Sequence, residues 1–163
     1  MRRLLILLAI ILGAVKPAGI SSIRPAEDVI VDSEVPLTQS AVEIDGMAQE
    51  ILDLTNYYRT IKGLKPLAWN TELASAAAVR AKEASIHWSH TRPDGRDWYT
   101  VNDKIMYGEN LAKNYITANG VVNGWLNSPT HAEVLYYPDF KSIGIAVYVD
   151  EYGTKFYAQE FGF

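Results

Sequence analysis

The chain of 163 residues contains no cysteine. It therefore forms no disulfide, carries no thiolate nucleophile and offers no thiolate ligand for zinc or an iron–sulfur cluster. A folded domain of this sequence must be held together by packing and hydrogen bonds. If the chain is exported, the absence of disulfides favours a bacterium over a eukaryotic secretory route, where small domains usually acquire them.

Basic residues are too few for a nucleic-acid-binding protein. There are 15 Lys and Arg against 19 Asp and Glu, and the formal charge is −4. Because binding to a phosphate backbone depends on basic patches, we expect no nucleic-acid partner. The composition, 48% hydrophobic and 21% charged, is instead typical of one globular domain with a short extension.

The N-terminus carries the one long hydrophobic run. Arg2 and Arg3 precede apolar residues 4–12, which residues 13–15 extend. Two positive charges before such a run are typical of a secretory signal peptide, and the run is short for a membrane span of about 20 residues. Lys16 and Pro17 interrupt the small-residue pattern that a signal-peptide cleavage site requires. Residues 1–22 are therefore predicted to be a signal peptide or an uncleaved N-terminal anchor, and membrane contact is expected only through an uncleaved segment.

Residues 23–43 are predicted to form an acidic linker. They hold five acids against Arg24, include Pro25 and Pro36, and show no sustained hydrophobic period. The run Val-Ile-Val at 29–31 leaves open an additional edge strand. Removal of residues 1–22 would leave 12 basic and 19 acidic residues, a formal charge of −7, which does not favour binding to anionic lipid.

Residues 44–163 are predicted to form the folded domain. An amphipathic helix is expected between Asp45 and Gly63, and an alanine-rich helix from Asn70 or Thr71 to about His87. Further helices are expected at about 120–127 and from 129, followed by alternating strands at 143–149 and 155–163. Helices first and antiparallel strands late, without a βαβ rhythm, indicate an α+β fold, a three-layer sandwich.

Any imidazole site must be built from three histidines: His87, His90 and His131. His87 fits an ordinary helix-end residue, and His90 lies in a loop-rich stretch where binding groups collect. With Ser128 as N-cap and Pro129 first in its helix, His131 lies near the positive helix end, which favours a neutral ring able to bind metal or accept a proton. The capping role accounts for Ser128 without a Ser/His dyad.

Glu109 lies between Gly108 and Asn110 in a partly apolar stretch, so its carboxylate is either exposed or buried with partners. Taken alone, it is expected at the surface or in a salt bridge. The sequence contains no Gly-x-Ser-x-Gly nucleophile elbow, no phosphate loop, no His-Glu-x-x-His and no Ca²⁺ loop.

Six segments in order resemble the bacterial branch of the CAP superfamily, also called the SCP domain. They are Leu67-Ala68-Trp69-Asn70, Ser89-His90-Thr91 with Pro93-Asp94-Gly95, Gly108-Glu109-Asn110-Leu111-Ala112, Trp125-Leu126-Asn127-Ser128-Pro129-Thr130-His131, Phe140-Lys141-Ser142-Ile143-Gly144-Ile145-Ala146-Val147 and Tyr157-Ala158-Gln159-Glu160-Phe161-Gly162. The resemblance implies an α-β-α sandwich with a small antiparallel sheet between helices and a central cleft lined by histidines and acids.

Three residues match the cleft motifs of that family. His90 matches the histidine of Ser-His-Thr, Glu109 the acid of Gly-Glu-Asn, and His131 the histidine of the bacterial Ser-Pro-x-His. Ser128 stands where many eukaryotic members have a second cleft glutamate, so the set of two histidines and two glutamates is incomplete.

The resemblance implies a secreted, extracellular protein whose cleft binds a divalent cation, a small polar ligand or a lipid, without turnover. His90, Glu109 and His131 would be the ligands, and two imidazoles with a carboxylate suit Zn²⁺ best. Two alternatives stay open. One is a metal-dependent, protease-like hydrolase using the same cleft, and the other is a module that binds a cell-surface or cell-wall component.

Overall fold

The structure, a computed structural model, describes residues 45–163. The predicted export segment, residues 1–22, and the predicted acidic linker, residues 23–43, lie outside the described residues, as does Ile44. Among residues 45–163, no helix has the length and apolar character needed to cross a membrane.

Four α-helices, one 3-10 helix and four strands follow each other in the described part of the chain. In order they are α1 (Gly46–Ile61), β1 (Ala68–Trp69), α2 (Thr71–Ile86), the 3-10 helix (Trp98–Val101), β2 (Gly108–Lys113), α3 (Ala118–Leu126), α4 (Pro129–Leu135), β3 (Ser142–Val149) and β4 (Lys155–Gly162). The four predicted helices and the late hairpin are confirmed, whereas β1 and β2 were not predicted.

Side-chain caps and a left-handed glycine set the ends of the first two helices. Asp45 accepts a hydrogen bond from the Met47 amide at 3.4 Å, and the chain leaves α1 through Gly63, whose φ is +75°. Asn70 caps α2 by accepting from the amides of Glu72 and Leu73 at 2.9 and 3.1 Å. Both caps lie where the sequence predicts them.

The sheet has the strand order β1-β3-β4-β2 and is mixed. Strands β3 and β4 pair antiparallel, as the predicted hairpin requires, and β2 pairs antiparallel with β4, but β1 runs parallel to β3 through the pairs Ala68–Ser142 and Trp69–Ile143. The prediction of a wholly antiparallel sheet is therefore wrong for this strand. Two residues are too few to produce the alternating pattern by which a strand is recognised in sequence.

Helices cover both faces of the sheet, which confirms the predicted α-β-α sandwich. Along β4, Phe156 and Ala158 pack with the alanines of α2, whereas Tyr157 and Phe161 belong to the larger core formed with α1, α3 and α4. Because side chains alternate across a strand, these two sets point to opposite faces of the sheet. Residues of β2 alternate in the same way.

Helix α2 lies directly against the backbone of β3. A Cβ atom at Gly144 would collide with the backbone of Leu73 and Ala74. The face of α2 toward the sheet consists mainly of alanines, which allows the helix to come close to β3. The alanine-rich face noted in the sequence therefore permits an approach that only glycine on β3 accommodates.

Candidate cleft site at the edge of the sheet

Strand β2 brings groups from both helical layers to one edge of the sheet. It pairs with β4 and with no other strand among the described residues. Glu109 shares the face of Leu111, which packs against α2, whereas Asn110 points to the opposite face and its amide donates to the His131 carbonyl of α4 at 3.2 Å. Residues from the two layers therefore meet along β2.

Glu109 is a buried ion-pair partner, not a surface residue. It is 6% exposed, and Oε2 accepts from Nε of Arg80 at 2.6 Å while Oε1 accepts from Nη2 at 3.3 Å. Nδ1 of His90 lies 2.7 Å from Oε1. Of the two expectations for this residue, the salt bridge is confirmed and surface exposure is wrong.

The partners of Glu109 keep its carboxylate ionised. Burial alone would raise the pKa of this group, but the hydrogen bond from His90 and the charge and hydrogen bonds of Arg80 hold the pKa below its ordinary value. Glu109 thus places a negative charge next to Nδ1 of His90.

Arg80 is the centre of a longer charge network. Beyond Glu109, its Nη1 donates to Glu83 at 2.6 Å and its Nη2 donates to the Ser89 carbonyl at 2.9 Å. Glu83 in turn accepts from Arg92 at 2.7 Å. Burial lowers the pKa of Arg80, but Glu109 and Glu83 outweigh that effect, so the guanidinium stays charged.

The contact with Glu109 fixes which nitrogen of His90 is free. A carboxylate can only accept, so Nδ1 carries the proton and the neutral ring has its lone pair on Nε2. The His90 side chain is 24% exposed whereas that of Glu109 is 1% exposed. The basic nitrogen of His90, Nε2, therefore faces away from Glu109, and solvent can reach the ring.

His131 is held as a neutral ring. It is 5% exposed, and burial, followed by the nearby charge of His90, lowers its pKa to about 4. Its Nδ1 lies 2.8 Å from Oγ of Ser128. Ser128 occupies the N-cap position of α4 but makes no side-chain capping bond. The prediction that capping employs the Ser128 hydroxyl is therefore wrong, because the hydroxyl contacts the imidazole instead.

Protonation of His131 should make the domain less stable in acid. Its pKa is about 4 in the folded state and 6.5 in the ordinary reference, so the unfolded chain binds this proton first as the pH falls. Relative to a variant without this ring, His131 should therefore lower the free energy of unfolding between pH 6.5 and pH 4 by up to about 3 kcal/mol, whereas the raised pKa of Glu160 acts in the opposite direction. Urea unfolding at several pH values measures the decrease.

The matched variants for this prediction are His131→Asn and His87→Asn. His131→Asn removes the titrating ring, so its profile should lack the decrease that His131 contributes in this pH interval. His87→Asn alters an exposed histidine and should follow the wild type. A profile of His131→Asn as steep as that of the wild type would contradict the assignment.

Glu160 is a second buried acid, and no motif in the sequence marks it as a site residue. It lies opposite Glu109 in the β2–β4 register, it is 0% exposed, and neither carboxyl oxygen has a hydrogen-bond partner among residues 45–163. Burial and then the charge of Glu109 raise its pKa well above the ordinary value, against the weaker effect of Arg80. Burial beside a second carboxylate, without a donor for either oxygen, therefore favours the protonated form of Glu160. The sequence signal for this residue is a glutamate within a mostly apolar predicted strand, which indicates a buried acid.

The three predicted site residues are brought together unequally. His90 and Glu109 are in direct contact, and a protonated His90 would disfavour a charge on His131, but no hydrogen bond joins His131 to either side chain in the described part of the chain. Nor does any group of three or more His, Asp or Glu within 45–163 have an arrangement able to hold a metal ion. Direct metal binding by all three residues stays a prediction.

Sequence comparison relates this chain to a defined family. The model of the family described as "CAP: Cysteine-rich secretory protein family" matches residues 52–161. The curated protein "Uncharacterized membrane protein YlbC" of Bacillus subtilis (strain 168) is 30% identical over 123 residues, which cover 69% of this chain and 33% of YlbC. The chain thus spans about a third of that relative.

Solved structures show the same fold. An extracellular protein containing a SCP domain from Bacillus anthracis is similar with a TM-score of 0.65 and 30% identity, over 79% of this chain and 45% of that chain. A structure described as NaASP2 with Zn²⁺ has a TM-score of 0.58 at 14% identity, over 76% of this chain and 83% of that one, and this likeness concerns the fold alone. With the family match over most of the described residues, the chain belongs to the CAP, or SCP-domain, family.

Proposed function

We propose that this chain is an exported binding module whose cleft at the β2 edge binds a divalent cation through His90 and His131. Zn²⁺ is the first candidate because imidazole nitrogen is among its preferred ligands. Export is supported by the sequence of residues 1–22 and by the similar Bacillus anthracis protein, which is described as extracellular.

The contact between His90 and Glu109 carries the proposal. A carboxylate that accepts from one imidazole nitrogen fixes the tautomer, orients the ring and makes the other nitrogen a better donor to a metal. In this chain the contact is 2.7 Å long and the carboxylate is itself held by Arg80. Nε2 of His90 is thus oriented before any ligand arrives.

His131 supplies the second imidazole. Because its pKa is about 4, protons do not compete for this ring near neutral pH, and a metal ligand must be neutral imidazole. If Nδ1 donates to Ser128, the lone pair lies on Nε2. Ser128 would then fix the orientation of His131 as Glu109 fixes that of His90.

The donor set fits a cation by type but supplies two imidazoles only. Both oxygens of Glu109 are engaged by Arg80 and His90, so we assign Glu109 the role of a positioning residue. The remaining coordination positions would fall to water or to polar atoms of a small ligand. Such open positions suit a binding cleft that takes a polar molecule through the cation.

Calorimetric titration with Zn²⁺ tests the proposal. His90→Ala and His131→Ala should each lower the affinity by at least about tenfold, since each removes one of two protein ligands. His87→Ala is the matched control, because it removes an exposed histidine and should leave the affinity unchanged. Equal affinities for all three variants and the wild type would refute the cleft assignment.

The hydrolase and wall-binding alternatives stay predictions. Turnover of a peptide library by the wild type but not by His90→Ala would favour the hydrolase.

A further inference from the structure

A groove that shares no residue with the cleft lies at the start of β3. It has a volume of about 700 Å³ and is formed by the loop after α1, the loop before β3 and the end of β4. Its apolar lining includes Leu64, Phe140 and Phe163. Phe163 is 44% exposed, and its ring centroid lies 5.3 Å from that of Phe140. The groove therefore exposes an aromatic surface to solvent.

Lysines surround this groove without acidic partners. Lys65 and Lys141 line it, and Lys62 lies one residue before it with Nζ 5.7 Å from the centroid of the Tyr136 ring. All three are exposed, and none forms an ion pair within residues 45–163. Asp139 is the one acid among the lining residues. The groove thus combines an apolar floor with a net positive rim.

A segment of the same chain has the complementary pattern. Residues 27–34 read Glu-Asp-Val-Ile-Val-Asp-Ser-Glu, four acids around three β-branched apolar residues, and residues 27–43 contain no basic residue. We propose that residues 27–34 dock in this groove, with the Val-Ile-Val run on the aromatic floor and the acids beside the three lysines. The proposal is independent of the metal cleft.

The connecting chain is long enough. The groove begins at Gly63, just beyond the end of α1, and the 16 residues of α1 span about 24 Å at 1.5 Å per residue. The ten residues between 34 and 45 provide eleven Cα–Cα steps, which reach up to about 36 Å when extended. Because a short tether gives an effective concentration in the millimolar range, even weak contacts suffice to hold the segment in the groove.

Distance measurements between two spin labels test the docking in the full chain, kept in detergent micelles because of its apolar N-terminal run. The absence of cysteine allows Ser33→Cys and Asp139→Cys to be the only labelled sites. Docking predicts a narrow distribution of distances for this pair. The pair Ser33→Cys and Glu151→Cys, which places the second label at the far end of β3, should give a longer mean distance.

Charge variants decide between docking and a free segment. Lys65→Glu with Lys141→Glu should broaden the distribution, whereas Lys82→Glu with Lys104→Glu makes the same charge change at exposed lysines elsewhere and should leave it narrow. Neutralising the four acids at 27–34 to Gln and Asn should also broaden it, and these changes alter none of the described residues 45–163. A broad distribution in the wild-type chain, or an equal response to both lysine pairs, would overturn the proposal.

A membrane is the competing occupant of a basic, apolar surface, and vesicles containing phosphatidylserine test it. Docking predicts that Lys65→Glu with Lys141→Glu changes the spin-label distances. If this variant instead abolishes vesicle binding while the wild-type distances are already broad, the groove faces lipid and the docking proposal fails.

Discussion

Arg80→Met is expected to lower the free energy of unfolding by about 3–5 kcal/mol. Arg80 is 0% exposed and is the buried cation that neutralises Glu109. Removing its charge leaves Glu109 buried against the His90 ring alone and leaves the Ser89 carbonyl without its donor. Methionine retains much of the volume, so the loss reports charge and hydrogen bonding and not a cavity. Urea unfolding followed by circular dichroism measures it.

The control for this change is Arg96→Met. Arg96 also pairs with an acid, Asp94, at 2.6 Å, but both side chains are largely exposed. Exposed pairs contribute little because water already stabilises the separated charges, so this variant should unfold at the wild-type urea concentration. Equal stability of Arg80→Met and Arg96→Met would show that the buried network does not hold the α2 layer to the sheet.

Glu109→Gln is expected to weaken Zn²⁺ binding by about 10–100-fold without removing a metal ligand. A neutral amide oxygen is a weaker acceptor for Nδ1 of His90, so Nε2 loses both donor strength and fixed orientation. The same substitution leaves Arg80 without its buried anion and should lower the stability as well. Calorimetry and urea unfolding of one preparation measure the two effects.

Glu160→Gln is the matched control because it makes the same atomic change on the residue directly opposite. Burial and the charge of Glu109 raise the pKa of Glu160 and favour its neutral form, and glutamine has nearly the shape and charge of that neutral acid. Its Zn²⁺ affinity should equal that of the wild type, and its stability at neutral pH should not decrease. If both substitutions reduce the affinity equally, Glu109 does not act through His90.

Local signals in the sequence were sufficient for most of the fold. Asp45 and Asn70 are residue types that cap helices, and they are the N-caps of α1 and α2. The alternation of apolar residues at 143–149 predicts β3 directly. Strand β2 was missed because five of its six residues, charged and apolar alike, are buried. Such a strand shows no alternation, and its polar members are explained only by partners distant in the chain.

The candidate site was predicted in its residues but not in its connections. His90 and Glu109 were selected by their motifs, yet Arg80 and Glu160, 29 and 51 residues from Glu109, were not. A charged residue within an apolar pattern indicates that a partner exists, but not which one. The contact between Ser128 and His131 was likewise obscured, because a serine at an N-cap position already has a sufficient local explanation.

The close approach of α2 to β3 at Gly144 has a consequence for motion in the cleft. Helix and strand interlock at the backbone, so they cannot slide past each other without separating. His90 lies just after α2, and Glu109 lies in β2, which belongs to the same sheet as β3. The distance between His90 and Glu109 is therefore held by the interlocked helix and strand. His131 is carried by the seven-residue helix α4, which has no such interlock with β3. Adjustment to ligands of different size is therefore expected on the His131 side, where backbone hydrogen exchange should be faster than in α2.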